Sequence, residues 1–128
     1  MDVLPGEKLA RFIFFKSQFS VMNRIVKYGA FIPPSKSEEI SVYRISSLSD
    51  SEVWEIGREY VETKDRRIKA RADFLAEHVY ENNLKVIPDT QPHELHANIT
   101  PFPADKKARQ NIARKLALIS ELVIMPTP

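Results

Sequence analysis

Short strand-like runs at residues 9–15, 40–46, 67–74 and 84–89 alternate with a few segments of helical periodicity, and this mix constrains the fold more than any other feature. "LARFIFF" (9–15) is dense in aromatic and β-branched side chains and too short for a typical helix, which predicts a buried strand. "ISVYRIS" (40–46) sets Ile40, Val42, Arg44 and Ser46 against Ser41, Tyr43 and Ile45, an imperfect alternation with strong β propensity. "LKVIPD" (84–89) is stopped by Pro88, and "VIMP" (123–126) reads as a last short strand or extended tail.

Two helices are well signalled. In "SDSE", Ser49 stands three residues before Glu52, the spacing at which each side chain satisfies the other's backbone N–H. Val53, Ile56, Gly57, Tyr60 and Val61 then follow one helical face, which predicts a helix over 50–63. Gly57 inside it costs about 1 kcal/mol against alanine, so close packing there is expected. "ADKKARQNIARKLALISEL" carries the stripe Ala108, Ile112, Leu116 and Ile119, with Asp105 where the helix dipole favours an anion. A third helix is expected from Ser17 or Ser20 to Gly29, on the spacing of Phe19, Met22, Ile25 and Val26. Pro33 and Pro34 make the next segment a loop.

Residues 66–82 support two patterns. Ile68, Ala72, Leu75, Ala76 and Val79 form a helical stripe, whereas Ile68, Ala70, Ala72 and Phe74 alternate as in a strand. A helix here would leave the short strands little to pair with, so a strand over 67–74 followed by an irregular or helical passage to Asn83 is expected. These elements predict an α+β fold: a small single domain over 1–128, with a short mixed sheet covered on one face by two or three helices, and α/β as the alternative.

Composition excludes several functions. The chain has no cysteine, which removes disulfides and thiolate zinc sites, and no apolar run of membrane-spanning length. A cytoplasmic protein with no membrane contact is expected. There is no G-x-G-x-x-G, no P-loop and no G-x-S-x-G, and three glycines leave little for a phosphate-cradling loop, so no cofactor is expected. Net charge is only +2, but acids predominate between Glu38 and Asp65 while bases cluster at Lys64–Arg71 and Lys106–Lys115.

The segment "PHELHANITPFP" (92–103) is the chief candidate for chemistry. His93 and His96 are three apart, with Glu94 between them, Asp89 upstream, and Pro92, Pro101 and Pro103 opposing a helix. The helical zinc motif H-E-x-x-H is absent, since this order is one residue short. The spacing admits a metal held by the two imidazoles with Asp89 or Glu94, or a loop whose histidines bond backbone carbonyls or pack on Trp54 or Phe102; no metal site is expected. His78 reads as a structural residue.

A second candidate is nucleic-acid or nucleotide binding through Arg44, Arg67, Lys69, Arg71 and Trp54, with Tyr43 beside Arg44 as a stacking face. Two readings follow. The leading one is a binding or accessory module acting through its surface or as a homo-oligomer, because Phe12, Phe14, Phe15 and Phe19 exceed the needs of one small core. The rival is an enzyme acting on a phosphate-containing substrate, RNA or nucleotide, with His93 and His96 as general acid and base. An enzyme needs an imidazole and an arginine converging on one concave site; a module needs only a patch.

Overall fold

The structure, a computed structural model, describes residues 2–126. The fold is α+β. Strand β1 (Lys8–Ile13) pairs with β4 (Ile40–Arg44) on one side and β5 (Ala70–Leu75) on the other. Strands β6 (Lys85–Pro88), β7 (His96–Thr100) and β8 (Glu121–Ile124) complete a six-stranded sheet in the order β6-β7-β4-β1-β5-β8. Every pairing is antiparallel, so the sheet is not mixed as expected.

The expectation that one face is covered needs correcting, because both faces are. On the first face Leu9, Ile13, Val42, Ala72 and Ile99 meet helices α2 (Glu77–Glu81) and α3 (Lys106–Ile119), through Val79 and Leu116 among others. On the second, Ala10, Phe12, Tyr43 and Ile68 pack under α1 (Asp50–Ile56) through Val53, Trp54 and Ile56. The two cores take up most of the aromatic surplus. Phe12 is buried in the second, Phe19 is buried in the first, Phe14 packs at the margin of the second, and Phe15 stays half exposed.

Both capped helices form as the sequence predicts. Ser49 and Glu52 close the reciprocal box, with Ser49 Oγ accepting from the Glu52 N–H at 3.2 Å and Glu52 Oε1 from the Ser49 N–H at 2.9 Å. Asp105 caps α3 by accepting from the Ala108 N–H at 2.9 Å. Residues 66–82 resolve into β5 and the short α2.

The helix expected at 17–29 does not form. The segment is a 3₁₀ turn (Lys16–Gln18), a small hairpin of β2 (Phe19–Ser20) and β3 (Ile25–Val26), and a second 3₁₀ turn at Tyr28–Phe31. Of the four apolar residues behind the helical spacing, only Phe19 and Val26 are buried, as cross-strand partners; Met22 is 93% exposed at the hairpin turn. Adjacent β-branched Ile25 and Val26 favour the strand, and Arg24 takes a positive φ of 54° that a helix cannot accommodate.

Candidate functional site: a cleft where two strands part

The β1/β4 ladder is short. It holds Leu9 opposite Arg44 and Ala10 opposite Tyr43, while β1 stays paired with β5 through Ile13. Continued, the register would bring Phe12 opposite Ser41. Instead the Arg11 guanidinium takes the place of a ladder partner: Nη1 donates to the Ser41 carbonyl at 2.9 Å and Nε to the Ala30 carbonyl at 3.1 Å. Ala30 is buried and its carbonyl needs a partner, which this side chain supplies where the strands part.

The opening is a cleft of about 210 Å³, lined by Arg11, Phe12, Phe14, Tyr43, Tyr60 and His96, with Ser41, Val61 and Pro92 at its margins. Three local features build it. Tyr43 and His96 are cross-strand partners on β4 and β7, and their rings meet edge to face at 5.3 Å. The turn after α1, Gly57–Val61, widens to i→i+5 bonding, with the Glu62 N–H donating to the Gly57 carbonyl at 2.8 Å, and it carries Tyr60 and Val61 to the cleft. Gly57 allows α1 to sit this low: a Cβ there would lie 2.9 Å from Phe12 Cε1 and 2.7 Å from Ile68 Cδ1.

The two histidines are fixed in opposite tautomers by their backbone partners. His96 Nδ1 is 2.8 Å from the Asp89 carbonyl oxygen, which only accepts, so Nδ1 carries the proton and Nε2 the lone pair of the neutral ring. His93 Nδ1 accepts from the Leu95 N–H at 3.0 Å, so its proton sits on Nε2. His96 is 7% exposed and lines the cleft. His93 does not line the cleft: it is edge-on to Tyr60 at 4.8 Å and to Tyr43 at 6.1 Å, and it lines a separate depression with Glu52, Glu55, Glu59 and Glu94. The imidazoles therefore pack on tyrosines rather than on Trp54 or Phe102.

Arg11 is the unusual group. Burial, aided by the nearby positive charge of Arg66, pushes its guanidinium down to about 10. Among the described residues no carboxylate lies within ion-pairing distance of it, and Nη2 has no hydrogen-bond partner. Arg66 stacks on Phe14 at 4.2 Å, one ring away from the cleft. The hydroxyls of Tyr43 and Tyr60 and the Nε2 of His96 are likewise without partners among the described residues. Burial, and then Tyr60, raises the Tyr43 phenol, so it stays a neutral O–H donor. The cleft thus presents three donors and one lone pair that no described residue engages.

None of the basic residues singled out in the sequence lines the cleft, and Arg44, Arg67 and Arg71 are engaged in ion pairs. Arg44 grips Glu7 with both arms, Nε to Oε1 at 2.8 Å and Nη2 to Oε2 at 2.9 Å. Arg67 pairs with Glu62 at 3.2 Å. Arg71 is 2% exposed: its Nε and Nη2 hold Asp73 at 2.9 and 3.1 Å, Nη2 reaches Asp50 at 2.6 Å, and the Trp54 ring covers it at 4.6 Å. Trp54 is itself buried. Lys69 leads into β5, its backbone bonded to Ile13 and Met125. These five do not converge with the histidines. His78 bonds Glu81 on α2. Among the described residues no three His, Asp or Glu side chains are arranged to hold a metal, and no helix is long and apolar enough to cross a membrane.

Arg11 and Tyr60 were missed in the sequence as site residues. A signal for Arg11 was present: it shares strand parity with Leu9 and Ile13, which places a charge on a core-facing side. The class defined is an α+β domain with a cationic, aromatic-walled cleft at a strand parting. Comparison with protein-family models, curated proteins and solved structures gives no match, so the chemistry of the site carries the functional argument.

Proposed function

We propose that the protein binds a phosphate-bearing small molecule at the strand-parting cleft and acts on it, His96 serving as general base. The observation that carries this reading is the Arg11 guanidinium, half-buried and with no carboxylate within ion-pairing distance among the described residues, in a cleft that His96 also lines. A cation partly withdrawn from water without a counter-ion is costly, and an anionic ligand offsets that cost while gaining charge-assisted bonds. Tyr43 and Tyr60 add neutral donors suited to the remaining phosphoryl oxygens. About 210 Å³ accommodates the phosphate and little more, so the rest of the substrate extends past Tyr60 and Pro92.

In this reading His96 Nε2 takes the proton of a hydroxyl or water attacking phosphorus, the bond from phosphorus to the leaving oxygen breaks with its electron pair on that oxygen, which takes a proton from solvent, and Arg11 offsets charge building on the phosphoryl oxygens. His93 is then a positioning residue, holding Tyr60 edge-on. It is not the acid partner of His96 in this reading, because it does not line the cleft.

The test uses Tyr43→Phe and Tyr60→Phe, which delete unpartnered hydroxyls and leave every hydrogen bond within the described protein intact. Each is expected to weaken inorganic phosphate binding about 5- to 10-fold, the worth of one charge-assisted bond of ~1–1.5 kcal/mol, without lowering stability. His96→Gln is expected to keep phosphate binding and abolish turnover of a phosphodiester or nucleotide substrate. Unchanged phosphate affinity in both tyrosine variants defeats the proposal. Binding without turnover on any such substrate would favour the accessory-module reading, with the same cleft as its ligand site.

A further inference from the structure

A second concave surface lies between α3 on one side and β3 with the Tyr28–Phe31 turn on the other, with a volume of about 820 Å³. That is within the roughly 300–1,000 Å³ of small-molecule sites. It shares no lining residue with the cleft. Val26, Ile32, Ala117 and Leu118 supply apolar surface, and Lys27, Lys106, Arg109 and Arg114 supply charge. No Asp or Glu lines it.

This one-sided charge has a sequence origin. The chain carries no acid from Lys8 to Ser37, and none from Lys106 to Ser120. The fold sets these two acid-free segments on opposite walls of one groove. Two of the cations are held in place by contacts other than carboxylates: Arg114 stacks on Tyr28 at 4.6 Å, and Arg109 donates from Nη2 to the Ser37 carbonyl while its buried Nε has no acceptor. Leu118 stands 85% exposed at the groove, an uncovered apolar side chain beside unneutralised charge. The uncompensated positive lining calls for an anion, and the aliphatic wall calls for a hydrocarbon body.

We propose that this groove is a binding site for a small amphiphilic anion, an aliphatic or aromatic body carrying a single carboxylate, sulfonate or phosphate. The hydrocarbon lies along Val26, Ile32 and Leu118, and the anionic head meets Lys106, Arg109 and Arg114. It is independent of the cleft and of the reaction proposed there.

Decanoate titrated into the full chain, followed by backbone amide NMR, tests this. Shifts are expected to concentrate at residues 26–32 and 104–118, with 1-decanol binding at least tenfold more weakly and inorganic phosphate leaving these signals in place. The exposed pair Lys106→Glu and Arg114→Glu together should weaken decanoate at least tenfold, while Lys115→Glu, on α3 but outside the lining, should not. If the reversed pair disturbs folding, Lys106→Gln with Arg114→Gln gives the same ordering at smaller size. Equal binding of decanol and decanoate, undiminished binding in the charge variants, or capture by anionic vesicles with no binding of monomeric decanoate would each overturn the proposal.

Discussion

Gly57→Ala tests the packing that forms the cleft. In an exposed helix this substitution stabilises by about 1 kcal/mol. Here the added methyl would meet Ile68 Cδ1 at 2.7 Å, Phe12 Cε1 at 2.9 Å and Phe12 Cζ at 3.1 Å. The isoleucine end can rotate aside. The Phe12 ring has less freedom, because Tyr43 and Trp54 stand 5.8 and 6.4 Å from its centroid. Overpacking of this kind costs about 1–3 kcal/mol, so after the propensity gain the variant is expected to lose roughly 1–2 kcal/mol. Urea unfolding should show a lower midpoint at unchanged slope, and Tm should fall by roughly 3–5 °C per kcal/mol lost. Because Phe12 also lines the cleft, phosphate affinity should fall with it. A variant as stable as the parent, or more so, would refute the claim that α1 is seated on β1 through this glycine.

Three further outcomes follow from the same contacts. Asp73→Asn removes the bidentate acceptor of a buried guanidinium and should cost about 3–5 kcal/mol by chemical denaturation; a loss under about 1 kcal/mol would contradict the buried pair. Glu7, Asp50 and Glu52 are each held below the ordinary carboxylate range, by the Arg44 bond, the Arg71 bond and the Ser49 backbone N–H respectively. Their stabilisation is present above the unfolded carboxylate value of about 4 and is lost as pH falls through the depressed folded values. Asp73, pushed up by burial, acts in the opposite sense, so urea midpoints should decline on acidification from pH 5 to 2 less than the three alone would give. Long-range ¹H–¹⁵N spectra of the neutral imidazoles should show the Nδ1–H tautomer for His96 and the Nε2–H tautomer for His93; a shared tautomer contradicts the cleft geometry.

What was legible in the sequence was local. The Ser49/Glu52 box, Asp105 at the start of α3, and the runs that became β1, β4 and β6 depend on neighbours a few residues away, and each took the expected form. The 17–29 segment failed because four apolar residues at helical spacing do not say which of them will be buried. A hairpin buries two and leaves Met22 and Ile25 at the surface. Coverage of both sheet faces was out of reach for a related reason: strand parity assigns side chains to faces but not helices to either one. In the candidate site, the histidine segment was visible as an odd cluster, but its meaning depends on groups brought from afar. Arg11 bonds carbonyls 19 and 30 residues distant, and Tyr43 meets His96 only through the β4/β7 register. In the basic run at 64–71 two of the five cations, Arg67 and Arg71, are paired within the fold, with Glu62, Asp73 and Asp50, which the sequence alone does not reveal.

The most direct test of the central claim is a titration of inorganic phosphate into protein labelled at imidazole and guanidinium nitrogens. Saturable shifts are expected at His96 Nε2 and the Arg11 Nη groups, with His96 Nδ1 still bonded to the Asp89 carbonyl and Arg114 unmoved. Shifts confined to Arg109 and Arg114, or none at His96 and Arg11 up to saturating phosphate, would contradict the claim.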